Sequence, residues 1–282
     1  MLTRRRGYLL PRSGDVPDAS RQLEQEGFTV LRGVLTADEV AALSVQINAL
    51  YAALPPDGRA AKRPVDEDND FRYEMLNRSA LCQQAIGHPQ ILEAIEPLLG
   101  EDCHVIANTC WRNPPRERNS HGGGAWHIDA GPHIPRAPGI AWDDRIPYPV
   151  FAIGAHIYLQ DCPLECGPTG AIPRSHRSGQ RPPEDRIWDV ELTCDGRGVV
   201  PLTAKGGDVA MFVSDVWHRR LPPQAGDSGR FFLQAHYGRR DIAQRIRTTS
   251  RINHLSADAR KRAKTSRQRS LVGLHPNFFY DG

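Results

Sequence analysis

The chain has 282 residues and a formal net charge of +3, with 36 basic residues against 33 acidic ones. This near balance gives no general sign of nucleic-acid binding, and the length suits one large β-rich domain or two smaller ones with a sizeable core. No apolar run approaches the roughly 20 residues of a membrane-spanning helix, and the apolar stretch after the basic start is too short for a signal peptide. The six cysteines form no Cys-x-x-Cys pair, which favours free thiols in a reducing cytoplasm over disulfides. We therefore expect a cytoplasmic protein that binds neither nucleic acid nor membrane.

The first hundred residues have the pattern of helices after a proline-rich start. We predict helix over 18–54, where Thr36 followed by Glu39 is the signature of a capping box. Residues 55–70 are polar and contain prolines, which indicates a surface loop. Residues 79–99 show the spacing of a further pair of helices.

From about residue 103 the pattern changes to short apolar runs separated by glycine and proline. Such runs predict strands, and many short strands in succession predict a β-sandwich or barrel. The predicted strands cover 103–111, 124–130, 150–160, 168–173, 198–203, 207–213 and 229–237. The proline-rich segment 132–149 is long for a connection between strands, so we expect it to cover a site and contact substrate.

Two histidines and an aspartate form the most informative pattern in the chain. His127 and Asp129 lie two positions apart, so on a strand their side chains point to the same face. His218 follows far downstream, at the end of another apolar run. Two histidines and a carboxylate on one face of an iron ion leave its other positions open for a co-substrate and dioxygen. We therefore predict His127, Asp129 and His218 as metal ligands and catalytic residues.

A buried cation is predicted shortly after the last of these residues. Arg230 lies in the apolar run 229–237, which has the pattern of a strand. A 2-oxo dicarboxylic acid that chelates iron through its keto-acid end requires a cation for its far carboxylate. Arginine suits this role because its planar guanidinium donates two parallel hydrogen bonds to a carboxylate. Arg230 is therefore the predicted anchor of such a co-substrate.

Several segments resemble the phytanoyl-CoA dioxygenase family of iron(II)- and 2-oxoglutarate-dependent oxygenases. The similar segments are 24–35, 88–92, 98–100, 113–115 and 167–176. The last of them, Gly-Pro-Thr-Gly-Ala-Ile-Pro-Arg-Ser-His, is similar to the family's Asn-Gly-x-Leu-x-x-x-Pro-Gly-Ser-His signature. Cys166 stands where the family has Asn, and Arg174 stands where it has Gly, which tolerates backbone angles that Arg does not. The presence of Asp129 argues against the halogenating relatives, which carry a small residue there.

The resemblance implies a mainly β fold with flanking helices, namely a double-stranded β-helix (a jelly-roll, cupin-like barrel). It implies one domain over 1–282, with a helical part at about 15–100, a jelly-roll core at about 103–240 and a basic and aromatic extension at about 241–282. It also implies Fe(II) as cofactor and 2-oxoglutarate and O2 as co-substrates. The implied reaction is hydroxylation, or another oxidation, of an unactivated C–H bond with release of succinate and CO2.

Further residues are candidates for contacts inside the barrel. The resemblance places His156 beside 2-oxoglutarate, although a hydrogen-bonded core histidine is an equally good interpretation. Asn108 and Thr109 lie on the strand before the metal ligands, and we expect them to reach the co-substrate. The residues predicted to line the substrate cavity are His133, Trp142, Tyr158 and Gln234.

Several functional classes stay open at this point. The favoured substrate is a small molecule of a bacterial secondary metabolism, and the alternative is an acyl-CoA or another anionic, lipid-like compound. A zinc-dependent hydrolase on the same barrel would leave Arg230 without a partner, and a non-catalytic binding protein would leave the intact ligand set without a role. The sequence does not indicate the oligomeric state.

Basic residues concentrate between Arg239 and Arg269, where only Asp241 and Asp258 oppose them. A solvated helical face with a mobile loop is the favoured interpretation of this segment. An electropositive rim that gathers an anionic substrate is the functional alternative.

Overall fold

The computed structural model describes residues 2–5, 8–11, 16–53, 70–115, 124–244 and 255–276, which contain eleven strands and seven helices. The strands are β1 (Leu2–Arg5), β2 (Tyr8–Pro11), β3 (Phe28–Leu31), β4 (Asp70–Tyr73), β5 (His104–Asn113), β6 (Ala152–Tyr158), β7 (Thr169–Ala171), β8 (Val200–Pro201), β9 (Val209–Val213), β10 (His218–Arg220) and β11 (Arg230–Gly238). The helices are α1 (Asp18–Glu26), α2 (Ala37–Ala53), α3 (Met75–Arg78), α4 (Ala80–Ile86), α5 (Pro89–Leu99), α6 (Ala257–Arg262) and α7 (Ser266–Leu271).

The strands form three antiparallel sheets. The largest has six strands in the order β3-β9-β6-β11-β5-β4, the second has three in the order β10-β7-β8, and β1 pairs with β2. Isolated bridges between His127 and His218 and between Cys162 and Ala204 add further antiparallel contacts. The predicted mainly β architecture with accompanying helices is confirmed.

The six-stranded sheet has two chemically different faces, because successive side chains of a strand point to opposite sides. On β11, one face carries four residues of the main hydrophobic core, Phe231, Leu233, Ala235 and Tyr237. The other face carries four residues that line a cavity, Arg230, Phe232, Gln234 and His236. Strand β11 is therefore the central structural element that joins the core to the site.

The helices contribute apolar side chains to the same core as the first of these faces. The largest fully buried ones include Leu23 of α1, Ile47 of α2 and Ile91, Ile95 and Leu99 of α5. Burial of each such side chain contributes about 1.5–3 kcal/mol. The helical layer thus holds one side of the sheet, and the other side is left for the cavity.

The predicted helix over 18–54 is interrupted by a strand, so that prediction is wrong in part. Helix α1 ends at Glu26. The next residue, Gly27, caps it with a φ of 90°, which lies in the left-handed region that glycine adopts without a Cβ clash. Residues Phe28–Leu31 then pair with β9, and this tertiary pairing outweighs the local helical spacing. The capping box is confirmed: Thr36 N–H donates to Glu39 Oε2 at 2.8 Å, and Glu39 N–H donates to Thr36 Oγ1 at 3.3 Å.

The strand predictions agree with the structure except at the first metal-ligand segment. Within 124–130 only His127 forms a bridge, and no strand is present among these described residues. Strands β4 and β10 lie outside the predicted runs, because three or four residues are too few to show alternation. Helices α4 and α5 confirm the pair predicted at 79–99.

The segment 132–149 is bonded to Glu24 of α1 and to Arg177. Tyr148 N–H donates to Glu24 Oε1 at 2.7 Å, and Arg177 Nη2 donates to the same oxygen at 2.7 Å. The second guanidinium nitrogen of Arg177 donates to Asp144 at 2.8 Å. One carboxylate and one guanidinium therefore join three parts of the chain.

The signature turn is present although Arg174 replaces the family's glycine. Arg174 has a φ of 64°, so it adopts the left-handed conformation that favours glycine. Its guanidinium donates to both carboxylate oxygens of Asp144, at 2.6 and 2.7 Å. The ion pair holds the residue in this conformation against segment 132–149.

Arginines of the basic C-terminal segment are engaged in contacts with the protein. Arg262 Nε donates to Gln83 Oε1 at 2.6 Å, and Arg267 Nε donates to Glu96 Oε1 at 2.5 Å. Arg239 is buried, with its guanidinium carbon 4.2 Å from the Phe151 ring centroid. These three charges fasten α6, α7 and the end of β11 to the rest of the fold. Other basic residues of the segment, namely Arg260, Lys261, Lys264 and Arg269, are exposed, which agrees with a solvated helical face.

Two predicted features lie outside the described residues: the loop at 55–70, apart from Asp70, and the aromatic end of the chain at 277–282. In the described ranges, no helix has the length and apolar character needed to cross a bilayer. All six cysteines are free and buried, as expected for thiols that form no disulfides.

Replacing Arg177 with alanine is expected to destabilise the fold. The Arg177 and Glu24 side chains are only 9 % and 11 % exposed, so removal of the guanidinium leaves a buried carboxylate without its ion pair. Breaking a buried pair costs about 3–5 kcal/mol, which urea denaturation measures as a lower free energy of unfolding. Arg186→Ala is the matched control, because its ion pair with Asp189 lies at the surface and such pairs contribute little. Equal losses in the two variants would contradict this account of the fold.

Candidate functional site

Three side chains from two distant segments of the chain converge at one point. His127, Asp129 and His218 offer ligand atoms that all lie within 4.8 Å of one another. Asp129 Oδ1 is 3.6 Å from His218 Nε2 and 4.0 Å from His127 Nε2. Atoms that each bind one metal ion at about 2.1 Å lie roughly 3–4 Å apart. The observed spacing therefore suits a single ion held between them.

Backbone hydrogen bonds hold the two segments together. His127 and His218 exchange N–H···O bonds of 3.0 Å in both directions. Asp129 N–H donates to Ser214 O, also at 3.0 Å. The tripeptide 127–129 is thus fastened to both ends of the turn 214–218, and its two functional side chains face the second histidine.

The hydrogen bonds of the two imidazoles determine which nitrogen is free. His127 Nδ1 lies 2.7 Å from Ala125 O, and His218 Nδ1 lies 2.9 Å from Val216 O. A carbonyl oxygen only accepts, so Nδ1 is the donor in both rings. Both Nε2 atoms therefore present their lone pairs toward Asp129, which is the arrangement of metal-ligating histidines whose other nitrogen is fixed by a backbone carbonyl.

The charges in the cluster favour an ionised carboxylate. The Asp129 residue as a whole is exposed, but its side chain is only 20 % exposed. Burial by itself raises the pKa of the Asp129 carboxyl, yet the rings of His236, His218 and His127 together lower it well below its usual range. Burial and the neighbouring His218 lower the pKa of His127 to about 4, which keeps that ring neutral at pH 7. Burial lowers the pKa of His218, but the charge of Asp129 outweighs it and raises that pKa overall.

The three side chains open into a cavity of about 560 Å³ that is lined from both the six-stranded and the three-stranded sheet. This volume lies within the range of small-molecule sites. Besides the three converging residues, its wall includes Tyr73, Thr109, Trp111, His156, Thr169, Phe212, Arg220, Arg230, Phe232, Gln234 and His236.

Arg230 lies in this wall as predicted, with only 5 % of its surface exposed. Its guanidinium carbon is 5.3 Å from the Phe232 ring centroid, and its Nη2 donates to Asn113 Oδ1 at 3.3 Å. Its Nε has no hydrogen-bond partner among the described residues. Burial lowers the pKa of Arg230, which shows that its charge is poorly compensated. A buried guanidinium with an unbonded nitrogen is suited to binding an anion.

A chain of polar contacts links the cavity wall to the carboxylate. Gln234 Oε1 accepts from Thr109 Oγ1 at 2.8 Å and from Trp111 Nε1 at 2.7 Å. Gln234 Nε2 donates to His236 Nε2 at 2.8 Å, and that nitrogen lies 3.5 Å from Asp129 Oδ2. The structure therefore brings the predicted Thr109 and Gln234 to the cavity and adds a third histidine beside the carboxylate.

His156 satisfies both interpretations offered for it. Its ring lies 4.3 Å from that of Phe232 and 5.1 Å from that of Phe212, with Nδ1 3.3 Å from Thr169 Oγ1. Burial, with the charge of Arg230 adding to it, lowers the pKa of His156 well below its usual range. It is a neutral, packed histidine that also lines the cavity.

Asn108 lines the cavity together with Thr109, and both ends of its amide are also bonded within the protein. Its Oδ1 accepts from Leu76 N–H at 2.6 Å, and its Nδ2 donates to Gln234 O at 2.7 Å. The amide of Asn108 thus holds α3 against the sheet. Its contact with a co-substrate stays a prediction.

The remaining predicted cavity residues lie elsewhere. Among the described residues, none of segment 132–149 lines the cavity, so its predicted role as a cover is not supported. His133 pairs with Asp215 at 2.5 Å, and Trp142 Nε1 donates to Ile146 O at 2.7 Å. Tyr158 is fully buried in an apolar cluster behind the cavity wall. These aromatic residues stabilise the surroundings of the site and do not form its surface.

Arg220 is the cavity residue that sequence reasoning missed. It follows His218 by two positions, so strand alternation alone would have placed both side chains on one face. The signal was hidden because β10 is only three residues long and was not predicted. Phe232 carries the same kind of signal relative to Arg230 on β11.

The donor set fits a divalent transition-metal ion. Two imidazole nitrogens and one carboxylate oxygen are the donor set typical of non-haem iron sites, and these three residues would hold such an ion. The ionised Asp129 and the neutral His127 are already in the protonation states that metal ligation requires.

Several solved structures have a fold similar to that of this chain. The epimerase SnoN, in complex with Fe3+, alpha ketoglutarate and nogalamycin RO, matches with a TM-score of 0.60 and 18 % identity over 86 % of this chain and 91 % of that chain. HygX from Streptomyces hygroscopicus, with nickel and 2-oxoglutarate bound, matches with a TM-score of 0.59 and 17 % identity over 88 % of this chain and 94 % of that chain. The carbocyclase SnoK from nogalamycin biosynthesis matches with a TM-score of 0.57 and 16 % identity over 85 % of this chain and 92 % of that chain. At these identities the likeness shows a shared fold.

The family is shown by the sequence itself. Residues 23–222, more than half of the chain, match the family model described as phytanoyl-CoA dioxygenase (PhyH). The matched span contains His127, Asp129 and His218 and ends before Arg230. The chain therefore belongs to the phytanoyl-CoA dioxygenase family and is a dioxygenase-type oxidoreductase.

Proposed function

We propose that this chain is an Fe(II)- and 2-oxoglutarate-dependent dioxygenase that hydroxylates an unactivated C–H bond of a small molecule. The observation that carries the proposal is the convergence of His127, Asp129 and His218 on a cavity whose wall also holds the buried, incompletely bonded Arg230. A metal site and a carboxylate anchor in one cavity are the two parts that this chemistry requires.

Each part of the site has a separate task. His127, Asp129 and His218 would hold Fe(II), and Arg230 would bind the distal carboxylate of 2-oxoglutarate. Iron bound there, with 2-oxoglutarate and O2, supplies the oxidising power, and succinate and CO2 are the co-products. The protein supplies orientation and exclusion of water. A substrate carbon misplaced by about 1 Å lowers the rate on the order of 100-fold, so the cavity wall decides which bond reacts.

The aromatic part of the wall supports the exclusion of water. The rings of Phe212 and Phe232 pack on His156, and Trp111 lies 6.4 Å from Phe232 in a stacked arrangement. His236 Nε2 lies 3.5 Å from Asp129 Oδ2, whereas Oδ1 is the oxygen near His218.

For the fold, the proposal is a double-stranded β-helix formed by the six-stranded and three-stranded sheets. The bridge between His127 and His218 supports it, because it joins segment 127–129 to strand β10 at the cavity. We propose a single domain over 1–282 with the helical part, the core and the C-terminal extension as divided above. Six free, buried cysteines support a reducing cytoplasm as its location.

The proposed substrate is a secondary metabolite or a compound of similar size. The cavity volume of about 560 Å³ suits such a molecule, and the SnoN structure holds nogalamycin RO. An acyl-CoA substrate would call for free cations at a rim, whereas Arg262 and Arg267 are bonded to other parts of the chain. A zinc-dependent hydrolase would use the same three ligands but would give Arg230 no anion to bind.

Metal is expected to stabilise the protein through His218. Chelator-treated protein should unfold at a higher temperature when Mn(II), or Fe(II) without oxygen, is added. The corresponding gain in the free energy of unfolding is about 2.7 kcal/mol at a metal concentration 100 times Kd. The His218→Ala variant should lose this shift, because one of three ligands is removed. His88→Ala is the control, since His88 caps α5 and is no part of the site. A metal-dependent shift that persists in His218→Ala would contradict the assigned ligand set.

Arg230→Ala is expected to weaken 2-oxoglutarate binding and leave metal affinity unchanged. Charge-assisted hydrogen bonds contribute about 1.5–3 kcal/mol, which corresponds to roughly 10- to 100-fold in Kd. Anaerobic titration of the Fe(II) protein with 2-oxoglutarate, followed by the visible charge-transfer band, measures 2-oxoglutarate binding, and the metal-dependent rise in unfolding temperature reports metal binding.

Arg145→Ala, which removes one exposed charge, should bind like the wild type. The proposed function fails if the wild-type protein with Fe(II) shows neither the band nor succinate release from 2-oxoglutarate in air.

A further inference from the structure

Arg220 occupies a place in the cavity that the proposed function leaves unexplained. It lies on β10, two positions after His218, so both side chains point to the same face of the three-stranded sheet. Arg230 reaches the same cavity from β11 of the six-stranded sheet. Two arginines from different sheets therefore meet at one cavity.

Both guanidiniums are buried and incompletely bonded. Arg220 and Arg230 are 3 % and 5 % exposed. Arg220 Nη2 donates to Cys166 O at the long distance of 3.4 Å, and its Nε and Nη1 have no hydrogen-bond partner in the described part of the chain. Arg230 Nε is in the same condition. At least three buried N–H-bearing nitrogens therefore lack an acceptor.

The electrostatics of the pair call for an anion. Arg220 and Arg230 are both buried in the wall of one cavity. A guanidinium does not lose its proton in proteins, so the pair cannot relieve the repulsion between its charges by becoming neutral. Buried like charges are unfavourable unless a counter-ion with good hydrogen-bond geometry lies between them.

A purely structural role would look different, as Arg267 shows. That arginine donates to Glu96 at 2.5 Å and to Cys103 O at 2.9 Å, so its charge and its donors are both used within the protein. Among the described residues, Arg220 has one long contact and no comparable acceptor.

We propose that Arg220 and Arg230 together bind the distal carboxylate of the co-substrate, so that the site selects 2-oxo acids with a second carboxylate. The inference rests on the proposed function and deepens it. A carboxylate has about four lone-pair positions, enough to accept from two guanidiniums at once. Arg220 is then a specificity-determining residue for the co-substrate.

The test uses Arg220→Met, which keeps an apolar stem and removes the charge. Anaerobic calorimetry of the Fe(II) protein measures binding of 2-oxoglutarate and of 2-oxopentanoate, in which a methyl group replaces the distal carboxylate. We expect 2-oxoglutarate to bind roughly 10- to 100-fold more weakly, with 2-oxopentanoate and metal binding unchanged. Arg220→Lys should recover part of the loss, because it returns the charge without the planar fork.

Arg239→Met is the control, because Arg239 is buried as well but does not line the cavity. The Arg239 guanidinium lies 4.2 Å from the Phe151 ring centroid and donates to Asp241 Oδ2 at 2.7 Å. This variant should bind both acids like the wild type. Unchanged 2-oxoglutarate affinity in Arg220→Met, or equal losses for the two acids, would overturn the inference.

A metal-free measurement separates this inference from the proposed function. Glutarate, a dicarboxylate without the keto group, should raise the unfolding temperature of metal-free wild-type protein and have a smaller effect on Arg220→Lys and Arg220→Met. If Fe(II) protein fails to bind 2-oxoglutarate while glutarate behaves in this way, the function fails and the two-arginine site stands. If 2-oxoglutarate binds the wild type and Arg220→Met alike, the function stands and the two-arginine site fails.

Discussion

The two backbone hydrogen bonds exchanged between His127 and His218 are the constraint on which the site depends. They are 3.0 Å long in both directions and join segments far apart in the chain. Each imidazole then donates from Nδ1 to a backbone carbonyl two residues before it, which leaves both Nε2 atoms facing Asp129. The geometry of the candidate metal centre is therefore set by the main chain, and the side chains need little freedom to form it.

The second constraint is the division of the six-stranded sheet into two faces. One face lies in the same apolar core as the helices, and the other lines a cavity that contains histidines, a glutamine and arginines. Buried polar groups are tolerated only when they are bonded. Gln234 meets this condition through Thr109, Trp111 and His236, whereas Arg220 and Arg230 meet it only in part. Three of the unbonded nitrogens in the described residues thus lie where a charged co-substrate is proposed to bind.

Arginine has two distinct uses in this chain, and the neighbours decide between them. Arg177, Arg262 and Arg267 each donate to a side-chain acceptor and connect segments that are distant in sequence. Arg220 and Arg230 are buried, and among the described residues each makes one long hydrogen bond and leaves other guanidinium nitrogens unbonded. A count of basic residues cannot separate the two groups.

The sequence by itself determined the elements whose signals are local. The spacing of His127 and Asp129, the run that leads to Arg230, the capping box at Thr36 and the helix pair at 79–99 depend on neighbouring residues, and the structure contains each arrangement. Only the tertiary structure decided which partner takes each polar group and which face of a short strand is buried. It turned Phe28–Leu31 into a strand through pairing with β9, directed Asn108 to Leu76, and fastened segment 132–149 to Glu24 instead of placing it over the cavity. The physical reason is that alternation along a strand fixes which residues share a face, whereas burial and hydrogen-bond satisfaction depend on residues that only folding brings near.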